Sequence, residues 1–221
     1  MKISVIIPAW NESKMIHAAL EDLFMRHQPE EVIVVDGGSA DQTVKIASEW
    51  TRVIQSPKGR AKQFNYGARE AGGDVFLFLH ADTRLPKDGL QKIKDSVSHG
   101  ARAGRFRMQL DDSRWILRFY SSYTRFQLFS YGDQGFFIHR EVFEKMGGFR
   151  EDVPFEDIDF YRRLLKITRP VILKDSIIAS ARKFSEVGYL RQKFVNLFLV
   201  ALYYVGFDVF RLKKKVYPDI R

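Results

Sequence analysis

VFLFLHADTRLP, residues 75–86, begins as an unbroken apolar run and stops at His80-Ala81-Asp82 before a turn. A strand without polar alternation has both faces covered, as in a parallel sheet layered between helices. Its end is where such sheets bind ligands, in the crevice outside the carboxyl ends of the strands. The upstream chain keeps the same rhythm. KISVII (2–7), EVIVVD (31–36) and RVIQS (52–56) read as three more strands, the first bounded by Pro8 and the second ending on Asp36. Between them, SKMIHAALEDLFMRH (13–27) places Met15/Ile16, Ala19/Leu20 and Leu23/Phe24 at helical spacing behind Ser13 as N-cap. DQTVKIASEW (41–50) predicts a helix capped by Asp41, and GRAKQFNYGAREAG (59–72) a helix stopped by Gly72-Gly73. The alternation predicts a doubly wound α/β half.

The second half reads differently. RFRMQL (105–110) alternates as a half-exposed strand does, and SRWILRFYSSYTRFQLF (113–129) predicts a helix rich in aromatics and arginine. GFFIH (135–139) is a short strand, EDIDFYRRLLK (156–166) a helix, and PVILK and SIIAS (170–180) two short strands. A final helix starts near Glu186. No repeat or low-complexity linker divides the chain.

Composition narrows the function classes. With 221 residues, 45% hydrophobic and 19 of them Phe, the chain can bury one sizeable core. It has no cysteine, which excludes disulfides and thiolate metal sites. Residues 1–100 hold 13 Lys+Arg and 13 Asp+Glu, so the whole net charge of +9 lies in residues 101–221. Phosphate-bearing substrates, an anionic membrane or a solvated basic surface each account for that bias. Nucleic acid is set aside, because acids are interleaved and no reading motif is present. MKISVIIPAW enters a strand directly, with no signal-peptide h-region. FVNLFLVALYYVGFDVF (194–210) is interrupted by Asn196, Gly206 and Asp208 and is shorter than the ~20 residues of a span. It reads as a buried or interfacial helix, and RLKKK (211–215) after it suits an anionic bilayer surface.

In a parallel sheet the ends of these strands share one edge. Asn11, Glu12, Asp36, His80 and Asp82 are therefore expected around one crevice. Carboxylates gathered there need a compensating cation or donors, and a hard divalent ion bridging to phosphate oxygens supplies one. Strand-end capping is the plain alternative for Asp36 and Asp82. For Asp157 the alternative is an acidic helix start, since Glu156, Asp157 and Asp159 all suit the N-terminal dipole.

The joint pattern of SVIIPAWNE (4–12), VVDGGSADQT (34–43), GRAKQFNYGA (59–68), GDVFLFLHADT (73–83), YGDQGFFIHREVFEKMGGF (131–149), EDIDFYRRL (156–164) and SARK (180–183) resembles family 2 glycosyltransferases. It is most similar to a compact bacterial subgroup with FLHADT and YGDQG motifs. The resemblance implies a single GT-A, or nucleotide-diphospho-sugar transferase, domain: a Rossmann-like, mostly parallel sheet with helices on both faces and a C-terminal helical extension. It places the catalytic domain at 1–185, with a nucleotide-binding half to about residue 100 and an acceptor half beyond it. Residues 186–221 form a helix and basic tail, packed on the domain or at a membrane surface.

By the same resemblance, Pro8, Ala9, Glu12, Asp36, Arg60, Asn65 and Ala81 fall at the nucleotide, and Asp82 with His80 at a divalent metal, Mn²⁺ or Mg²⁺. Asp157, with Glu156, matches the acidic pair that deprotonates the acceptor hydroxyl. Asp133 and Gln134 line the acceptor side, and Arg182 and Lys183 approach the diphosphate. The implied activity is inverting transfer of a sugar from a nucleotide-diphosphate donor, UDP-sugar favoured, to an acceptor hydroxyl, with a lipid-linked acceptor in view. The implied station is the cytoplasm, extending to peripheral contact with the inner face of the membrane. Three positions depart from the family pattern. His80 replaces the first acid of its D-x-D and suits Mn²⁺ better than Mg²⁺. Gly37 stands where a second acid follows Asp36, and Lys183-Phe184 stand where larger members carry tryptophan. A nucleotidyltransferase or a non-catalytic sugar-nucleotide-binding protein remains the alternative.

Overall fold

The computed structural model describes residues 1–111, 134–180, 198, 199, 202, 203, 205, 207 and 209. In it the N-terminal apolar runs are strands β1 (Ile3–Ala9), β2 (Glu31–Asp36), β3 (Arg52–Gln55) and β4 (Val75–Phe78). Helices α1 (Ile16–His27), α2 (Thr43–Ser48) and α3 (Arg60–Glu70) connect them. Beyond β4 come β5 (Thr83–Arg84), α4 (Gly89–Ser98), β6 (Ala103–Leu110), β7 (Phe136–His139), α5 (Arg140–Lys145), α6 (Glu156–Leu164) and β8 (Val171–Ala179). All strands join one sheet in the order β3-β2-β1-β4-β7-β6-β8-β5.

β1 to β4 pair in parallel, β7 runs antiparallel to both β4 and β6, and β8 is parallel to β6. Thus β1–β4, β6 and β8 all point the same way, and their carboxyl ends share one edge. Only β5 and β7 run back. This is the expected mostly parallel α/β sheet, and the order reverses at β1, between β2 and β4, where such folds open a crevice.

The two faces of the sheet are packed with different materials. Ile3, Val5 and Ile7 of β1 join Ile16, Leu20 and Leu23 of α1, Ala47 of α2, and Leu90 and Ile93 of α4 in a largely aliphatic layer. On the other face Ile6, Ile33 and Val35 meet Phe64 of α3, Phe143 of α5 and Phe160 of α6 in a layer dominated by phenylalanine. Phe149 stacks on Phe160 with ring centroids 4.1 Å apart, and Phe78 meets Phe149 edge-on at 5.0 Å. Each buried ring of this kind contributes about 1.5–3 kcal/mol by burial alone. Gly67 lets α3 lie close on the sheet, since a Cβ there would come within 2.3 Å of Ile6 Cγ2.

Several sequence expectations are corrected. α1 starts at Ile16 rather than at Ser13, and Met15 at its N-cap makes no side-chain cap. β6 is not half-exposed: its pattern is almost wholly buried, and Arg105 is 0% exposed. The two short strands of residues 170–180 are one strand, β8. Its pairing jumps from Phe106↔Leu173 to Arg107↔Ser176, so Lys174 and Asp175 form a bulge. Lys92 of α4 holds that bulge through an ion pair to Asp175 at 2.6 Å. Helices α4 and α5 and strand β5 were not anticipated.

The expected helices at 113–129 and near Glu186 lie outside the described residues. Residues 198, 199, 202, 203 and 205 are helical. Leu199 is buried, and Tyr203 packs edge-on against Phe155 at 5.7 Å. Among the described residues, no helix is long and apolar enough to cross a membrane.

Candidate active site

Two loops leave the carboxyl edge side by side, because Ala9 at the end of β1 is in register with Asp36 at the end of β2. They are tied together by short polar side chains. Asn11, at φ 54°, accepts from the Ala40 amide through Oδ1 at 2.9 Å and donates its own amide to Ser39 Oγ at 2.8 Å. The Glu12 amide donates to Thr43 Oγ1 at 2.8 Å and the Ser13 amide to Asp41 Oδ2 at 3.1 Å. Asp36, almost fully buried, accepts from the Gly38 and Ser39 amides at 2.9 and 3.0 Å. Burial opposes ionisation of Asp41, but hydrogen bonds from Thr43 and Ser13 outweigh it and lower its pKa to about 2. Pro8, Ala9, Glu12 and Asp36 are thus gathered in one prebuilt wall, with the Trp10 ring beneath Lys58 Nζ at 3.3 Å.

Helix α3 closes this wall from the aromatic face. Gln63, which sequence reasoning missed, is buried and donates through Nε2 to both Ala9 O and Val35 O at 2.8 Å. It therefore ties the ends of β1 and β2. Its signal was a glutamine flanked by Ala61, Phe64 and Gly67 on the helix face that must meet the sheet. Asn65 serves a different neighbour. Its amide donates to Phe149 O at 2.9 Å and accepts from the Phe149 amide at 2.9 Å, holding the Gly147-Gly148 loop against α3. Gly147 and Gly148 take φ 70° and 71°, which glycine adopts without strain.

At the end of β4, His80 and Ala81 are buried and Asp82 is half-buried. Among the described residues, the Asp82 carboxylate receives a single long 3.5 Å contact, from the Thr83 hydroxyl, which leaves coordination capacity on its oxygens. Among the described residues, no three His, Asp or Glu side chains gather to cage an ion. A hard divalent cation held by one protein carboxylate and by substrate phosphates fits this donor set. The Ser180 amide donates to Asp82 O at 3.2 Å, and Thr83 pairs with Ala179, which fixes the end of β8 beside Asp82. The chain leads from there toward Arg182 and Lys183, which lie outside the described residues, as does Asp133. Gln134 is fully buried just before β7, at the same edge.

The acidic pair opens α6. Glu156 and Asp157 begin a helix whose first turn carries three acids, a favourable placement at the positive end of the dipole. Arg163, later in the helix, pairs with Asp159 at 2.7 Å and donates to Met146 O at 2.9 Å and Gly148 O at 2.7 Å. That guanidinium locks α6 to the loop that Asn65 holds from the other side. Burial lowers the pKa of Arg105 below its ordinary value, with the adjacent Tyr161 acting in the opposite direction. A charged contact also spans the site: Arg60 Nε, at the start of α3, lies 2.7 Å from Glu156 Oε1.

Comparison with known proteins extends this geometry. The model of "Glycosyl transferase family 2" matches residues 4–149, from β1 through the Gly147-Gly148 loop. The chain belongs to that family. Among relatives, "Probable glycosyltransferase YdaM" of Bacillus subtilis is 28% identical over 197 residues, covering 75% of this chain and 47% of that protein. The "Dolichol-phosphate mannosyltransferase" of Pyrococcus furiosus is 34% identical over 114 residues, covering 46% of this chain and 31% of its own length. The chain therefore spans less than half the length of these relatives.

Two solved structures share the fold. Staphylococcus aureus TarS 1–349 with UDP-GlcNAc superposes at a TM-score of 0.68, with 22% identity, covering 82% of this chain and 59% of that fragment. The Pyrobaculum calidifontis mannosyltransferase with GDP-Man and Mn²⁺ superposes at 0.65, with 20% identity, covering 86% and 59%. At such identities the likeness speaks for the fold, which is the α/β architecture expected for a family 2 member.

Proposed function

We propose that this family 2 protein transfers a sugar, with inversion, from a nucleotide-diphosphate donor to an acceptor hydroxyl. The observation that supports the reading is the Arg60–Glu156 pair, which joins the acidic start of α6 to the start of α3 at the carboxyl edge. The nucleoside would lie along the wall of Pro8, Ala9, Glu12 and Asp36. Asp82, with His80 behind it, would hold a divalent cation, Mn²⁺ or Mg²⁺, on the donor diphosphate. Such an ion offsets the negative charge that gathers on a departing nucleoside diphosphate. The Asp157 carboxylate takes the proton from the acceptor hydroxyl, whose oxygen forms the new bond to the anomeric carbon. The anomeric carbon–phosphate oxygen bond breaks on the opposite side, and its electron pair leaves with the diphosphate. UDP-sugar is the favoured donor, and TarS supports it through its UDP-GlcNAc complex. Asp133 and Gln134 are assigned to the acceptor side, and Arg182 and Lys183 to the diphosphate. Residues 1–185 are taken as the catalytic domain and 186–221 as its extension.

A lipid-linked acceptor and peripheral membrane contact extend the proposal. Phe198, Val205 and Phe207 are 60%, 74% and 63% exposed, and RLKKK (211–215) follows them in sequence. Exposed apolar side chains followed in sequence by a basic cluster suit an anionic bilayer. The name of the Pyrococcus relative, a dolichol-phosphate mannosyltransferase, points the same way. Sedimentation with phosphatidylglycerol vesicles at low salt tests the contact: the protein is expected in the pellet, and free protein would refute it. The transfer reading is tested by release of nucleoside diphosphate from UDP-GlcNAc, UDP-glucose and GDP-mannose, with and without Mn²⁺. Metal-dependent release from one donor, lost in Asp157→Asn, is expected. Binding without release under any condition would favour the non-catalytic alternative.

A further inference from the structure

Arg60 and Glu156 belong to opposite sides of the reaction, yet they are bonded to each other. Arg60 opens α3 beside the nucleotide wall, while Glu156 sits next to Asp157 at the start of α6. Their side chains are 33% and 12% exposed, so the pair is partly shielded from water. A guanidinium at 2.7 Å from a carboxylate oxygen makes a charge-assisted hydrogen bond of the kind it also makes to a phosphate oxygen.

We propose that the Glu156 carboxylate occupies Arg60 in place of a donor phosphate, and that donor binding transfers Arg60 from Glu156 to the diphosphate. The exchange makes the order of binding a property of the site. Before the donor arrives, Glu156 is engaged and is a poor partner for an acceptor hydroxyl. Once the diphosphate takes Arg60, the Glu156 carboxylate loses that guanidinium and turns its accepting capacity toward the acceptor hydroxyl beside Asp157. No bond is made or broken in the exchange beyond this hydrogen bond and ion pair. Its consequence is that Glu156 opposes donor binding while serving acceptor binding. The proposal rests on the donor-site reading given above.

Calorimetry separates the two. UDP and GDP are titrated, each with Mn²⁺, into wild type, Glu156→Gln, Arg60→Gln and the double variant. Removing a competitor from a partly exposed pair should tighten nucleotide binding by about fivefold in Glu156→Gln. The same change made in the Arg60→Gln background should leave affinity where Arg60→Gln alone set it. Glu156→Asp keeps the charge but withdraws it by one methylene. It should give an intermediate gain, which keeps the test alive if the glutamine variant folds poorly. Wild-type binding that is unchanged or weakened in both Glu156 variants overturns the exchange and leaves the donor site standing. An equal gain in the presence and absence of Arg60 also overturns it. Failure of wild type to bind either nucleotide overturns the donor-site reading itself, and the exchange falls with it.

Discussion

The wall formed by the loops after β1 and β2 differs in kind from the region where β4 ends and α6 begins. In the wall, Asn11, Ser39, Asp41 and Thr43 bond backbone groups of the neighbouring loop, and Asp36 bonds its own. Its shape is built by many neutral or charge-assisted hydrogen bonds over short distances. On the other side, Asp82 has one long contact, and Glu156 is linked across the site by the ion pair to Arg60. Rigidly hydrogen-bonded backbone therefore lies on one side, and the carboxylates of Asp82, Glu156 and Asp157 lie on the other. The proposed transfer, in which a constant nucleoside is held while protons and phosphate charge move, would use that division.

The largest effect should come from the reactive side. Asp157→Asn removes the proposed base and should lower turnover by about 10²- to 10⁴-fold while nucleoside diphosphate binding persists. Turnover within threefold of wild type would leave Asp157 as a helix-start acid only. On the packing that carries the wall, Gly67→Ala forces a Cβ onto Ile6 and Val35 and should cost about 1–3 kcal/mol in urea unfolding. A stability equal to wild type would show that α3 can withdraw from the sheet without loss.

Removing the ring that stacks on Phe160, in Phe149→Ala, should cost about 3–5 kcal/mol in the same measurement. That would show the aromatic layer under α6 to be better packed than the α3 contact; a smaller loss than Gly67→Ala would reverse the ranking. The smallest effect concerns acid. Asp41 has a folded pKa of about 2, below its ordinary 3.8, so its stabilising effect is present above pH ~4 and lost as pH falls toward 2. Asp41→Asn should flatten that limb of the stability profile between pH ~4 and ~2. An unchanged acid limb would mean that the two loops hold without its charge.

The N-terminal half was legible because its signals were local. Continuous apolar strands, amphipathic helices and the Gly72-Gly73 stop each lie within one element, and the strand ends named Asp36, His80 and Asp82 directly. The later misreadings came from long-range packing. Arg105 made β6 look half-exposed, but the guanidinium is enclosed next to Tyr161 of α6, a contact that no local pattern encodes. Asp175 looked like a break between two strands, and with Lys174 it forms a bulge held by Lys92 of α4. α4 itself carries Leu90, Ile93 and Val97 at helical spacing but has no side-chain cap at Asp88 to announce it. Within the site, Gln63 and the Arg60–Glu156 pair escaped notice for the same reason. Each joins elements far apart in sequence, and only the parallel order of the sheet brings them together.

The central claim is that one edge of this sheet holds a nucleotide diphosphate through a metal on Asp82. Its most direct test is calorimetric titration of UDP and GDP, each with and without Mn²⁺, into wild type and Asp82→Asn. The account predicts binding of one nucleotide that strengthens with Mn²⁺ in wild type, and loss of that metal-dependent gain in Asp82→Asn. Binding in the variant that responds to Mn²⁺ as wild type does would contradict it.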